Sequence, residues 1–376
     1  KEILTWINDG RKRSRDDFCY DRWIINFSNG YYSVINKTFV PDIENKNKVF
    51  FYEIPHEYKK GIHKCPKFSK ILSEWLGENS VVKPSDIFEM IGYSMTMNTD
   101  MKKAFFIYGE PHTGKSSFQN ILGYIIGNKN IASTELQRMT KDQFGTNELL
   151  FKVVNMVGDM SDSIVNNLSA FKMVTGGDIY IPAELKNGQR YRFRSTCKVW
   201  YNANFLPKIR NEYDRAFFVR WIIMEFPHEF PTETDDSIKA IWETINNDED
   251  EIQGIIHKAL EGAIRLYKRG YFRTEISQHT KHIWKYKSDD IYAFIYDKCI
   301  RGSDEAIDTI EFAGEFNKYL YKRKKRPLSS YKIKPMLEEH GIFRLRETSG
   351  PRNEYYSGIG WKPEPILEFK SLYDDI

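Results

Sequence analysis

The chain has 376 residues, of which 41% are hydrophobic, 29% charged and 15% aromatic; such a chain builds two or three packed domains and excludes a single small module or global disorder. Lys and Arg number 56 against 52 Asp and Glu, a net charge of +4, too small to identify a nucleic-acid partner from the total, so local clusters must decide that question. No apolar run approaches the roughly 18 residues that span a bilayer, and Cys19, Cys65, Cys197 and Cys299 lie far apart without C-x-x-C spacing, which predicts reduced thiols and neither a disulfide framework nor a zinc ribbon.

The opening Lys1-Glu2-Ile3-Leu4 has no signal h-region and no Met, so the sequence reads as an excised fragment. Trp23 to Phe27 and Tyr31 to Ile35 around Asn29-Gly30 predict two strands about a turn. His56, His63 and Cys65 match no zinc-module spacing and are expected to be loop residues. From Pro66 the spacing becomes helical through Phe68, Ile71, Leu72, Trp75 and Leu76, and Pro84-Ser85-Asp86 opens a second amphipathic stretch through Ile87, Met90 and Ile91. Four short apolar runs follow as strands, at Ala104 to Tyr108, Val153 to Val157, Cys197 to Tyr201 and Phe218 to Phe226; alternating with helical segments, they predict an α/β core. Asn246 to Glu251 reads as a solvated acidic loop, since a calcium loop would need alternating ligands and a central Gly. A helix is expected from Ile252 to Leu266. In the last third, Ile291 to Ile300, the Phe312-Phe316-Tyr319 stretch and Tyr331 to Glu339 predict three helices. Ile342 to Arg346 and Tyr355 to Ile359 predict a closing hairpin, so the module reads as a winged helix.

The chemistry lies in Gly109-Glu110-Pro111-His112-Thr113-Gly114-Lys115-Ser116, a full G-x-x-x-x-G-K-[ST] preceded by a predicted strand and followed by a predicted helix through Ser117. Glycines let the loop backbone wrap phosphates, Lys115 reaches the outer ones, and Ser116 can hold Mg²⁺. ATP with Mg²⁺ is therefore the expected nucleotide. Such a loop needs an acid at a neighbouring strand end, and the run ending Val157-Gly158 delivers Asp159, with Asp162 beyond. Asp159 is expected to hold Mg²⁺ or polarise the attacking water. Asn204, at the end of the third run, is placed to read the γ-phosphate. Arg220, at the head of the apolar Trp221-Ile222-Ile223, needs an anionic partner: either a phosphate across a subunit boundary, as an arginine finger, or an internal carboxylate.

In order and spacing these motifs resemble superfamily 3 helicases, especially the phage and plasmid primase-helicase branch with its poxvirus-type relatives. Asp159 stands where that branch has its first Walker B acid. Lys172 to Asp178 is similar to its K-x-x-T-G-G-D segment, and Asn202-Ala203-Asn204-Phe205-Leu206-Pro207 to its T-N-x-x-P motif. The Arg220 strand resembles the R-R-x-x-x-x-P-F ending, with Val219 for the first Arg and Glu225 for the Pro; Asp159-Met160 replaces the paired acids. The resemblance implies a P-loop, AAA+-like ATPase core over 96–230. Around it would lie an N-terminal accessory α+β region over 1–95, a helical connection over 231–288 and a winged-helix DNA-binding domain over 289–376. It also implies a cytoplasmic, plasmid- or virus-encoded replication protein of a prokaryotic host, working as a homo-oligomer, a hexamer by expectation. An amino-terminal primase-polymerase module would be absent from this fragment.

Asn187-Gly188 predicts a tight hairpin between Ile179 and Arg194, with Lys186 at its tip and Arg190, Arg192 and Arg194 on one face of the returning strand. By resemblance this is the loop that grips single-stranded DNA in a ring channel. Lys332 and Lys334, near the basic Lys322 to Arg326 run, would dock the winged helix on duplex phosphates. The expected activity is an ATP-dependent replicative DNA helicase translocating as a ring. The alternatives are an ATP-gated DNA-binding initiator without processive unwinding and an RNA-directed ATPase.

Overall fold

The computed structural model describes residues 19, 21–42, 49–141, 145–158, 168–177, 180–184, 190–207, 209, 215–230, 241–273, 280–346 and 353–363. Two compact units divide the chain, Lys1–Lys281 and His282–Ile376. Among the described residues, no helix is long and apolar enough to cross a membrane.

The first unit opens with β1 (Ile24–Phe27), β2 (Gly30–Ser33) and β3 (Thr38–Pro41), a three-stranded antiparallel meander. The sequence suggested only two strands; Thr38-Phe39-Val40 is too short to show alternation, and Pro41 hides its end. Helix α1 (Pro66–Leu76) starts on Pro at its first position, where the missing N–H is harmless, and Gly77 stops it at φ 69°. Phe68, Leu72, Trp75 and Leu76 are its buried face. In α2 (Pro84–Ser94) the Asp86 carboxylate accepts the Lys83 backbone N–H at 2.7 Å, closing the first turn.

The core is one parallel sheet in the order β10 (Trp221–Glu225), β4 (Ala104–Tyr108), β9 (Lys198–Ala203), β6 (Val154–Val157), β5 (Ile131–Ala132). Phe105, Ile107, Val199, Trp200, Ile222 and Met224 are buried, as strands covered on both faces require. The fourth apolar run proves to be two elements. Residues Arg215–Phe218 form a short helix, α6, and only Trp221–Glu225 is strand, because Val219-Arg220 turns the chain between them. Helices α3 (Lys115–Ile126), α4 (Leu136–Lys141) and α5 (Ser169–Gly176) precede α6. The antiparallel pair β7 (Tyr180–Glu184) and β8 (Arg190–Arg194) stands outside the main sheet.

The acidic segment read as a solvated loop is instead a junction between α7 (Ile241–Asn246) and α8 (Glu249–Arg269). Asp248 caps α8 by accepting from Glu251 N–H, and the Glu251 carboxylate is buried, accepting Lys67 N–H at 2.9 Å and Phe68 N–H at 3.0 Å. One helix thus caps another, a long-range role that acidic composition does not reveal. Farther along α8, Arg265 and Arg269 close on the buried Glu89 of α2. All four cysteines are buried free thiols.

The second unit takes in most of α9 (Thr280–Ser288), then runs α10 (Asp290–Lys298), β11 (Cys299–Asp308), α11 (Thr309–Lys322), α12 (Ser330–Glu339), β12 (Phe343–Arg346) and β13 (Glu354–Trp361). The helix expected to reach Ile300 ends at Lys298, and Cys299 begins a strand that the polar Ser303-Asp304-Glu305 disguised. That strand joins the anticipated hairpin in an antiparallel sheet ordered β11-β13-β12. Phe294, Phe312, Phe316, Ile333, Leu337 and Tyr356 form its core.

Candidate nucleotide site

Strand β4 delivers Gly109 at the carboxyl end of the sheet, and α3 begins six residues later at Lys115. The turn between them is tight: His112 has φ 62° and Gly114 φ 92°, conformations of the left-handed region that a non-glycine holds only when its surroundings impose it. The segment that follows β10 imposes it here. Phe226 N–H donates to Tyr108 carbonyl at 2.7 Å, and Phe230 N–H to His112 carbonyl at 2.9 Å. Within the loop, Thr113 hydroxyl donates to Glu110 carbonyl at 3.0 Å.

Lys115 is buried, and its ammonium donates to the Gly109 and Glu110 carbonyls at 2.8 and 2.6 Å, with Thr113 Oγ1 at 3.5 Å. The loop thus holds the cation at its own mouth. No side chain caps α3, so the first-turn N–H groups and the positive helix end remain available to an anion. Glu110, Pro111, His112 and Ser116 are exposed, while Gly114 and Ser117 are half-buried. An open helix start, a captive lysine and an exposed Ser116 hydroxyl are the donor set that a nucleotide polyphosphate with its divalent cation requires.

Other predicted residues converge on this end of the sheet. Ala203 pairs with Tyr108 in register, so Asn204, one residue beyond, lies beside the loop and is exposed. Val157 pairs with Tyr201, and the chain continues to Gly158; Asp159 and Asp162 lie outside the described residues. Two polar side chains were not anticipated. Gln119, one turn into α3, donates to Val157 carbonyl at 3.2 Å, and a side-chain carbon on Gly158 would stand 3.4 Å from Gln119 Oε1 and 3.7 Å from the Asn202 amide atoms. The signal for Gln119 is its helical spacing from Lys115 and Ser116; Asn202 shows only as an amide within a buried strand.

Arg220 is elsewhere. Its carbonyl accepts Ala104 N–H, and Trp221 pairs with Ala104 while Glu225 pairs with Tyr108. The strand length, about 16 Å at roughly 3.3 Å per residue, therefore separates Arg220 from the loop in the same chain. Its guanidinium is half-buried and donates to the Ala216 carbonyl. Burial first, and the Arg220 charge second, lower the Lys103 ammonium to about 8.

In the hairpin, Tyr180 pairs with Arg194, Pro182 with Arg192 and Glu184 with Arg190. Arg192 and Arg194 are exposed, Phe193 and Ile181 buried, and the Arg194 guanidinium lies 4.8 Å from the centre of the Tyr180 ring. Thr146 hydroxyl donates to Pro182 carbonyl at 3.0 Å and Tyr191 hydroxyl bonds Asn147, anchoring the pair. Lys186 lies outside the described residues. In the second unit Lys332 is exposed, and Lys334 is half-buried with Glu338 3.6 Å away. Part of the basic run is already neutralised, since Arg323 and Lys325 both reach Asp290. Among the described residues, no three His, Cys, Asp or Glu side chains gather where they could hold a metal ion.

Residues 1–77 match the family described as D5 N terminal like, and residues 107–217 match a family of unknown function (DUF5906). No curated protein matches the chain. Solved structures similar to it include the A-form apo structure of the NrS-1 C-terminal region, at 12% identity and a TM-score of 0.49, covering 83% of this chain and 80% of that one. A second apo structure of that region is 13% identical, with a TM-score of 0.44 and the same coverages.

Proposed function

We propose that this chain is the ATP-hydrolysing motor of a primase-helicase-type replication protein, unwinding DNA as a ring of identical subunits. The observation that carries the reading is the Gly109–Ser117 loop: a parallel strand, a tight turn with Lys115 held at its mouth, and an uncapped helix start. The D5 N terminal like match over residues 1–77 supports the class of protein.

In this reading the loop N–H groups and Lys115 bind the phosphates, and Ser116 and Asp159 hold Mg²⁺, which supplies charge neutralisation at the phosphates. Asn204 reads the γ-phosphate from the adjacent strand end, and Asp159 or Asp162 orients water. Arg220, a strand length away from its own loop, serves the site of the next subunit. That placement favours a closed ring over a working monomer; six subunits is the proposed number. Arg190, Arg192 and Arg194, with Lys186, grip one strand. From α10 onward the second unit runs helix–strand–helix–helix–strand–strand, an order that supports reading it as a winged helix; Lys332 and Lys334 lie on α12, and in this reading it engages duplex.

Strand separation on forked DNA and on RNA duplexes, with ATP and with a nonhydrolysable analogue, tests the proposal. ATP-dependent displacement on DNA, abolished in Lys115→Ala, is expected. Hydrolysis without displacement would instead identify an initiator or remodeller, and displacement confined to RNA would overturn the substrate.

A further inference from the structure

The two family matches end at residue 77 and resume at 107, as if the accessory region and the loop-bearing core were separate modules, yet the last turn of α1 is built into the wall of the loop. Trp75 is 1% exposed. A side-chain carbon on Gly114 would collide with its indole Nε1, so the indole edge touches the loop backbone at the residue before Lys115. The ring itself is fixed, stacked on Phe226 at 5.6 Å and 18° and meeting Phe118 of α3 edge-on at 6.2 Å.

The same turn grips the segment that shapes the rest of the loop. Gly77 lies against Pro227 and His228. That segment holds Tyr108 through Phe226 N–H, crowds Gly109 with the Phe226 carbonyl, and fixes His112 through Phe230 N–H. A left-handed His112 followed by a left-handed Gly114 persists only where neighbours over-determine the backbone, and here the neighbours are Trp75 and the strand end that α1 clasps.

We propose that Trp75 is a positioning residue for the nucleotide loop, so that the accessory region forms part of the ATP site and registers its occupancy. This rests on the reading of Gly109–Ser117 as a nucleotide site. A residue that shapes the loop before phosphate arrives acts equally on bound substrate and transition state, so its loss weakens binding while turnover at saturation persists.

Trp75→Phe tests this, because phenylalanine preserves the stack on Phe226 and removes the indole edge at Gly114. Wild type and variant of the 376-residue chain are compared by steady-state ATP hydrolysis, and wild type by hydrogen exchange with and without a saturating nonhydrolysable ATP analogue. The expected result is a KM raised about tenfold with kcat changed less than about twofold. In wild type, residues 66–77 should exchange more slowly when the analogue is bound. An unchanged KM, a loss confined to kcat, or unaltered exchange over 66–77 in a wild type that binds the analogue overturns the positioning role alone. A wild type that binds no nucleotide overturns the site itself. Should Trp75→Phe not fold, the exchange measurement on wild type decides.

Discussion

Replacing Glu251 by Ala should destabilise the first unit far more than its place in an acidic stretch suggests. Its carboxylate accepts the Lys67 and Phe68 backbone N–H groups at 2.9 and 3.0 Å and is itself 3% exposed. Phe68 is fully buried, so its N–H would have no water to turn to, and losing a bond to a charged acceptor costs about 1.5–3 kcal/mol. Lys67 is exposed, and its N–H recovers part of its loss by hydration, adding about 0.5–1 kcal/mol on the scale of an N-cap removal. The total is about 2–4 kcal/mol. Glu251→Gln keeps one carbonyl acceptor and should lose about half as much. Equilibrium urea denaturation followed by tryptophan fluorescence reads this well, since Trp75, Trp200 and Trp221 are buried in the first unit. An Ala variant within about 0.5 kcal/mol of wild type, the range of ordinary surface substitutions, would refute the capping argument.

Replacing Arg265 and Arg269 together by Ala should also destabilise the protein, by about 3 kcal/mol, because the Glu89 carboxylate that both reach is only 4% exposed and would be left uncompensated; Glu89→Gln in the same background should restore part of the loss in urea titrations. Burial lowers the Lys198 ammonium to about 7 from an ordinary 10.5, and its Nζ donates to the Thr196 and Thr96 carbonyls. The native state therefore releases this proton first, so the residue's contribution to stability is fullest above pH 10.5 and is lost as pH falls towards 7. Lys198→Met should flatten that limb between pH 7 and 10, and parallel wild-type and variant curves would exclude the effect. Arg192→Ala with Arg194→Ala should weaken single-stranded DNA binding and reduce the slope of log affinity against log salt by about 1.4, two contacts at roughly 0.7 each; an unchanged slope in fluorescence-anisotropy titrations would remove the hairpin from the interface.

Much of the core was legible because its signals are local. The run at Ala104 is uninterrupted and apolar, those at Val153 and Cys197 are apolar but for Asn155 and Lys198, and all three became neighbouring parallel strands. Their ends bring Gly109, Gly158 and Asn204 to one edge of the sheet, which the order of motifs in sequence anticipates but does not measure. What was not legible depends on distant partners. Glu251 reads as one acid among several until α1 is packed on it, Trp75 reads as an ordinary core residue until Gly114 is seen against its ring, and Gln119 is a neutral amide on a helix until Val157 lies opposite. Strand β11 was hidden by its own composition, since its outer positions are polar and its register shifts between Arg301 and Ala306. The distance of Arg220 from its own loop needed the parallel pairing of β10 with β4, a topological fact that no spacing along the chain contains.

That distance also sets the most direct test of catalysis shared between subunits. If the proposed shared site holds, Lys115→Ala and Arg220→Ala should each be nearly inactive alone, the first lacking an ammonium for the phosphates and the second lacking a charge for the neighbouring subunit's site. Mixed subunits should contain interfaces that pair an intact loop with an intact Arg220. The measurement is the ATP hydrolysis rate of the two variants mixed in equal amounts, with subunit exchange verified by labelling. A rate clearly above that of either variant is predicted; verified mixed assemblies with no gain, or a wild-type monomer with full activity, would contradict it.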